Sequence, residues 1–181
     1  KIMTDFLGKE RRNFVIFDTE NIIKSMEGEL KSRATAIRGM LQFAKRALFI
    51  LDDNLELDIE KLKNALSSMK RGEKVCFFGF TWLLYNIVER FGTRIKEELD
   101  LVNYSDYVSI HIGGWKKLQE KAVSKQEFNT ILSKNLHMEN GQIIDFYGMT
   151  EQLGTVYPDC ENGYKHVPVY SEIIIRDLDT L

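Results

Sequence analysis

The sequence predicts an α/β fold with a largely parallel sheet flanked by helices. Three observations lead there. Short runs of β-branched and aromatic residues alternate with longer segments of helical periodicity, the pattern of successive strand–helix–strand units. Glycines follow three of those runs, at Gly79, Gly113-Gly114 and Gly148, where the chain must turn out of a strand. With 181 residues, 44% of them hydrophobic, the chain can build one domain with its own core.

Asn13 to Phe17 reads as a buried first strand, since aromatic and β-branched residues suit a sheet. From Arg33 to Arg46, apolar residues at Ile37, Met40, Leu41 and Ala44 keep a helical spacing that reaches Leu48, and Ser32 is placed to cap it. Ala47 to Leu51 is the second strand. Asp58 caps a helix running to Met69, with Ile59, Leu62, Leu66 and Met69 on one face and Arg71-Gly72 as its end. Val75 to Phe78 is the third strand. Thr81 to Phe91 follows as a helix that stops at Gly92, and Lys96 to Leu101 forms a short helix of its own. Tyr107 to Ile112 is the fourth strand. Ser124 caps an amphipathic helix that ends at Leu136. Ile143 to Tyr147 is the fifth strand, and Val169 to Arg176, after Pro168, is a further one.

Composition narrows the function classes. Lys plus Arg number 25 against 27 Asp plus Glu, a net charge of -2, so charge supplies no case for a nucleic-acid or membrane-surface partner. Cys76 and Cys160 make no CxxC pattern, and neither a disulfide framework nor a zinc site is expected. Apolar runs such as Phe77 to Tyr85 are too short to cross a bilayer, and no signal peptide is read, so a cytoplasmic location is the expectation. The chain starts at Lys1 and ends at Leu181, directly after a strand-like segment. This pattern predicts that both ends continue into something larger.

In an open parallel sheet, ligands bind beyond the carboxyl ends of the strands, where the three glycine-bearing segments are predicted. The richest is Asp145-Phe146-Tyr147-Gly148-Met149-Thr150-Glu151, which follows Ile143-Ile144. Thr150 and Glu151 can meet a phosphate and its magnesium ion. Tyr147 can stack on a flat base, Asp145 can accept from an amino group, and Gly148 lets the backbone approach a ligand. Plainer roles stand beside these. Thr150 can cap a helix, and Asp145 can satisfy loop amides. Phe146 points away from Tyr147 along the strand and belongs to the core. Gly113-Gly114 can be an ordinary turn, and His111 a packed, hydrogen-bonded side chain. Thr81 suits an N-cap. Cys76 is inert in a buried strand, and no neighbouring histidine supports Cys160 as a nucleophile.

The Asp145–Glu151 run resembles the tyrosine-glycine-x-threonine-glutamate motif of the adenylate-forming enzymes, among them acyl and aryl CoA ligases, peptide-synthetase adenylation domains and luciferases. Phe78-Gly79-Phe80-Thr81, Ile110 to Lys116 and Asp145 to Asp159 occur in the order seen in one branch, the acyl-protein synthetases. These are the fatty-acid-activating component of the bacterial luminescence reductase. Phe14 to Thr19 and Arg38-Gly39-Met40 to Lys45 are similar to it too, so the resemblance covers nearly the whole chain.

The resemblance implies ATP-dependent activation of a long-chain fatty acid as an acyl-adenylate, then transfer to a protein thiol. Thr150 and Glu151 would be catalytic, with Glu151 holding Mg2+. Gly113, Gly114, Trp115, Asp145, Tyr147, Gly148 and Met149 would line the nucleotide. Gly79, Phe80 and His111 would border the acyl pocket, and an acyl-transferase or reductase would be the partner protein. It also implies that residues 1–181 are a single α/β domain, a central piece of the large adenylation domain. The serine/threonine/glycine-rich phosphate loop, the ribose-binding aspartate and the C-terminal domain have no counterpart in it, and the piece alone is expected to be inactive. A phenylacetate-type CoA ligase and a non-catalytic nucleotide- or partner-binding module are the alternatives.

Overall fold

A computed structural model describes residues 2–24, 28–70, 72–100, 106–148, 155–160, 162–177 and 179. Its elements run α1 (Ile2–Leu7), β1 (Arg12–Thr19), α2 (Gly28–Leu41), β2 (Ala44–Leu51), α3 (Ile59–Ser67), β3 (Val75–Phe80), α4 (Thr81–Asp100), β4 (Tyr107–Ile112), α5 (Lys125–Leu136), β5 (Ile143–Tyr147) and β6 (Tyr157–Pro158). The strands form one six-stranded sheet in the order β2-β1-β3-β4-β5-β6. All neighbours pair in parallel except β6, which runs antiparallel to β5. The predicted α/β class and largely parallel sheet are therefore present.

Strands covered on both faces read as unbroken apolar runs, and β1 and β3 do so. Phe14, Phe17, Phe77 and Phe78 are fully buried, with ring centroids 6.4 Å apart for Phe14–Phe78 and 6.2 Å for Phe17–Phe77. Helices α3, α4 and α5 lie side by side. Phe128 of α5 reaches the His111 ring on one face of the sheet, while Phe6 of α1 meets the Phe146 ring from the other. Phe146 is thus core, as its alternation predicts.

Asp58 caps α3 by accepting from the N–H of Glu60 and Lys61, and Ser124 caps α5 by accepting from Glu127. Four expectations need correcting. Helix α2 begins at Gly28 rather than after Ser32, and Ala44 opens β2 instead of extending the helix. Gly92 does not stop a helix: α4 runs through it to Asp100, absorbing the separate helix expected at Lys96. The missing side chain at Gly92 makes room for the Asn135 carboxamide of α5. Val169–Arg176 forms no strand. Val169 and Ile175 are more than nine-tenths exposed, and the residues that pair beside β6 are instead Lys165, bridged to Asp159, and His166, whose N–H donates to Pro158 O. Among the described residues no helix is long and apolar enough to cross a membrane.

Candidate functional site

The parallel register brings three strand ends together. Phe80 pairs with Ile112, and Ile112 with Phe146, so Thr81, Gly113 and Tyr147 follow side by side at one edge of the sheet. Gly113 takes φ +76, a left-handed conformation that favours glycine, and the space above Gly114 is open. Thr81 is the first residue of α4, and its hydroxyl faces β4 rather than capping the helix, as was expected of it. The oxygen lies 2.9 Å from His111 Nδ1, 2.7 Å from the Gly113 carbonyl and 3.2 Å from that of Ile112. With one hydroxyl proton to give, Thr81 donates to the Gly113 carbonyl. His111 Nδ1–H then donates to Thr81.

That tautomer leaves Nε2 of His111 as a bare acceptor, buried without a hydrogen-bond partner. Burial pushes the imidazole down to about 4, against the opposing pull of Asp145, so it is neutral near pH 7. Asp145 sits beside it, with Oδ1 3.8 Å from His111 Nδ1 and Oδ2 2.7 Å from Lys165 Nζ. Lys165 also reaches Asp159 Oδ1 at 3.2 Å, and Lys125 holds the other oxygen of that buried carboxylate. A chain of alternating charge thus runs from the end of β5 into the segment after β6.

A model of the family described as acyl-protein synthetase, LuxE, matches residues 1–181. The chain belongs to the acyl-protein synthetase family. It is also 28% identical over 134 residues to the long-chain-fatty-acid–luciferin-component ligase of Aliivibrio fischeri, a match covering 71% of this chain and 34% of that protein. The chain thus spans about a third of that relative's length. No solved structure matches it significantly.

Within this member of the acyl-protein synthetase family the site residues named from sequence separate into groups. Gly113, Gly114, Asp145, Tyr147 and His111 gather at the ends of β4 and β5. Tyr147 is 53% exposed, its ring centroid 6.2 Å from that of Tyr157. Trp115 packs edge-on against Tyr85 at 4.9 Å and against Phe128 at 6.1 Å, and is committed to the helix layer. A Cβ on Gly79 would meet Phe17 Cβ at 3.1 Å and Leu84 Cβ at 3.4 Å, so the local demand for glycine there is packing between β1, β3 and α4. Phe80 is buried beneath Gly113. A side chain on Gly148 would be in ordinary contact, with Thr155 O at 3.8 Å. Met149, Thr150 and Glu151 lie outside the described residues.

Some site residues escaped the sequence reading. The order β2-β1-β3 reverses direction at β1, and an open sheet forms its crevice at such a reversal. There Asp18 receives Arg33 twice, Nη2 to Oδ1 at 2.6 Å and Nε to Oδ2 at 3.2 Å. Burial raises the Asp18 carboxyl, and the guanidinium opposes that shift. The rings of Phe80 and Trp82 lie 6.0 and 5.9 Å from the Arg33 guanidinium. No motif marks Arg33 or Lys165, and Asp18 was named only as part of the Phe14–Thr19 resemblance. The one available signal was an isolated aspartate at the end of an otherwise apolar strand.

Proposed function

We propose that this chain carries the nucleotide-handling strand ends of an ATP-dependent acyl-protein synthetase. A long-chain fatty acid and ATP give acyl-adenylate and pyrophosphate, and the acyl group passes to a protein thiol. The observation that carries this reading is the family match over residues 1–181. The printed name of the Aliivibrio fischeri relative adds a long-chain fatty acid as the substrate class.

In this reading the adenine lies along the bare backbone of Gly113-Gly114, against the exposed Tyr147 ring. Thr150 contacts the phosphate and Glu151 holds magnesium. The described residues suit the base: a left-handed glycine, an unfilled space over the next one and an exposed ring share one edge. Joining a carboxylate to a phosphate brings two anions together, and cations must offset the charge. Arg33 and Lys165 at this edge are already paired with aspartates. In this reading Mg2+, which accepts one or two protein carboxylates plus phosphate oxygens, offsets part of that charge. Neutral His111 positions the turn through Thr81 without adding charge. A cytoplasmic location and an acyl-transferase or reductase partner belong to the same proposal.

The test is fatty-acid-dependent ATP–pyrophosphate exchange by the protein that carries this chain, alongside its Glu151→Gln variant. Exchange that needs a long-chain acid and disappears in the variant supports the proposal. Absence of exchange across a panel of carboxylic acids overturns it and leaves a binding module. Exchange with phenylacetate alone points instead to a CoA ligase.

A further inference from the structure

Backbone pairing places Lys165 before its side chain makes any contact. It forms an antiparallel bridge with Asp159, and the N–H of the next residue, His166, donates to Pro158 O at 2.8 Å. The Asp159 N–H donates in turn to Asp145 O at 3.0 Å, so Lys165 stands one step beyond β6 and reaches back to β5. Its ammonium meets three oxygens: Asp145 Oδ2 at 2.7 Å, Asp145 O at 2.9 Å and Asp159 Oδ1 at 3.2 Å. An ammonium has three N–H bonds, so none is left over for a ligand. Any influence of Lys165 on a ligand therefore passes through Asp145.

One cation thus grips the side chain and the main chain of a single residue, which leaves the carboxylate little freedom to turn. Among the described residues the remaining oxygen, Oδ1, has only His111 Nδ1 as an ion partner, at 3.8 Å and too far for a hydrogen bond. Side chains two apart on a strand share a face, so Asp145 and Tyr147 do, and the register sets Asp145 beside His111, two residues before the Gly113 turn. A carboxylate oxygen accepts hydrogen bonds and gives none. Held still at this edge, it favours a base with an exocyclic amino group and repels one with a carbonyl in the same place. We propose that Lys165 is a positioning residue that sets the base preference of the site: it fixes Asp145 so that adenine is taken and hypoxanthine is turned away. The inference rests on the adenylation reading and adds to it the residue that enforces the base. Lys125 supplies the internal comparison, since it pairs with Asp159 and donates to Gly163 O at 3.0 Å, on the side away from Asp145.

The experiment is pyrophosphate exchange by the protein that carries this chain, run with ATP and with ITP, whose base bears a carbonyl where adenine bears its amino group. The wild type should prefer ATP by about tenfold or more in KM, the worth of one hydrogen bond to a charged group. In Lys165→Met the KM for ATP should rise toward that for ITP, while the KM for ITP and the kcat at saturating ATP stay as they were. A purely structural lysine would lower the activity with both nucleotides alike. Lys165→Arg, which keeps a cation beside Asp145, should retain most of the preference, and Lys125→Met all of it. Circular dichroism at the assay temperature confirms folding, and Lys165→Gln gives the same readout should Lys165→Met unfold. A wild type indifferent to the base, a preference that survives Lys165→Met, or one lost equally in Lys125→Met would each overturn the positioning role and leave the adenylation reading standing. Absence of exchange with either nucleotide would instead overturn the adenylation reading, and this inference with it.

Discussion

His111 Nδ1 lies 2.9 Å from Thr81 Oγ1, and through that hydroxyl the buried imidazole is tied to the Gly113 carbonyl 2.7 Å further on. Removing the hydroxyl leaves a buried N–H and a carbonyl without their partner. Thr81→Val should therefore destabilise the chain by about 1–3 kcal/mol, whereas Thr81→Ser should cost far less. Denaturant midpoints of the two variants check this. Equal losses would mean that the methyl group, not the hydroxyl, matters.

The same imidazole makes stability depend on pH. Its folded value, about 4, lies below the ordinary 6.5, so between those limits the unfolded chain binds a proton that the native chain refuses. The stability tied to neutral His111 is whole above about 6.5, declines as pH falls and changes no further below about 4, a loss on the order of 3 kcal/mol. His111→Gln should flatten unfolding curves across that window; an unchanged slope would refute the assignment. Glu73 acts lower down. Hydrogen bonding to Lys45 holds it at about 2 against the usual 4.5, so its contribution disappears as pH falls between those values.

Gly92 and Asn135 should prove energetically coupled. Glycine to alanine inside a helix ordinarily adds about 1 kcal/mol. At Gly92 the new methyl would overlap the Asn135 carboxamide, which donates to Ile131 O at 2.8 Å. Gly92→Ala should gain much less than the ordinary amount, and should recover it in an Asn135→Ala background. A double-mutant cycle by chemical denaturation reads the difference directly.

Lys165 serves two carboxylates, Asp145 at 2.7 Å and Asp159 at 3.2 Å. Lys165→Met leaves buried Asp159 with Lys125 alone and should cost about 2 kcal/mol, below the loss for a fully buried pair because the lysine is partly exposed. Thermal unfolding of Lys165→Met beside Lys165→Arg measures it, and equal stability of the two would reject the charge argument.

Tyr147 separates ligand binding from folding. Its ring is exposed, so Tyr147→Ala should leave the unfolding temperature nearly unchanged. If the ring stacks on adenine, loss of about 1–3 kcal/mol of base stacking should raise the KM for ATP by roughly 5-fold to 150-fold. An unaltered KM would remove Tyr147 from the site.

The strand ends were legible because β4 and β5 are short apolar runs closed by glycine or a turn, and their observed limits match the sequence reading residue for residue. Asp58 and Ser124 were legible as caps for a similar reason: each precedes a strongly periodic segment. Tertiary contacts hid the rest. Gly92 reads as a stop until Asn135 is seen beside it. Ile173, Ile174 and Ile175 read as a strand, but the edge beside β6 is taken by Lys165 and His166, and apolar propensity alone forms no ladder. The Thr81–His111–Gly113 relay and the Asp145–Lys165–Asp159 chain join residues distant in sequence, and no local spacing encodes them.

Pairing of Tyr147 with Tyr157 fixes the two flanks of the sequence that includes Thr150 and Glu151 at the edge of the sheet. Neither flank can drift from the other without breaking that pairing. The cost of bringing these two flanks together is thus met by folding and is not charged again when a ligand arrives. The outermost rung of the ladder therefore lies next in the chain to the residues proposed to meet the phosphate. Amide exchange at Tyr147 and Tyr157 should therefore slow on nucleotide binding, reporting occupancy from outside the contact surface.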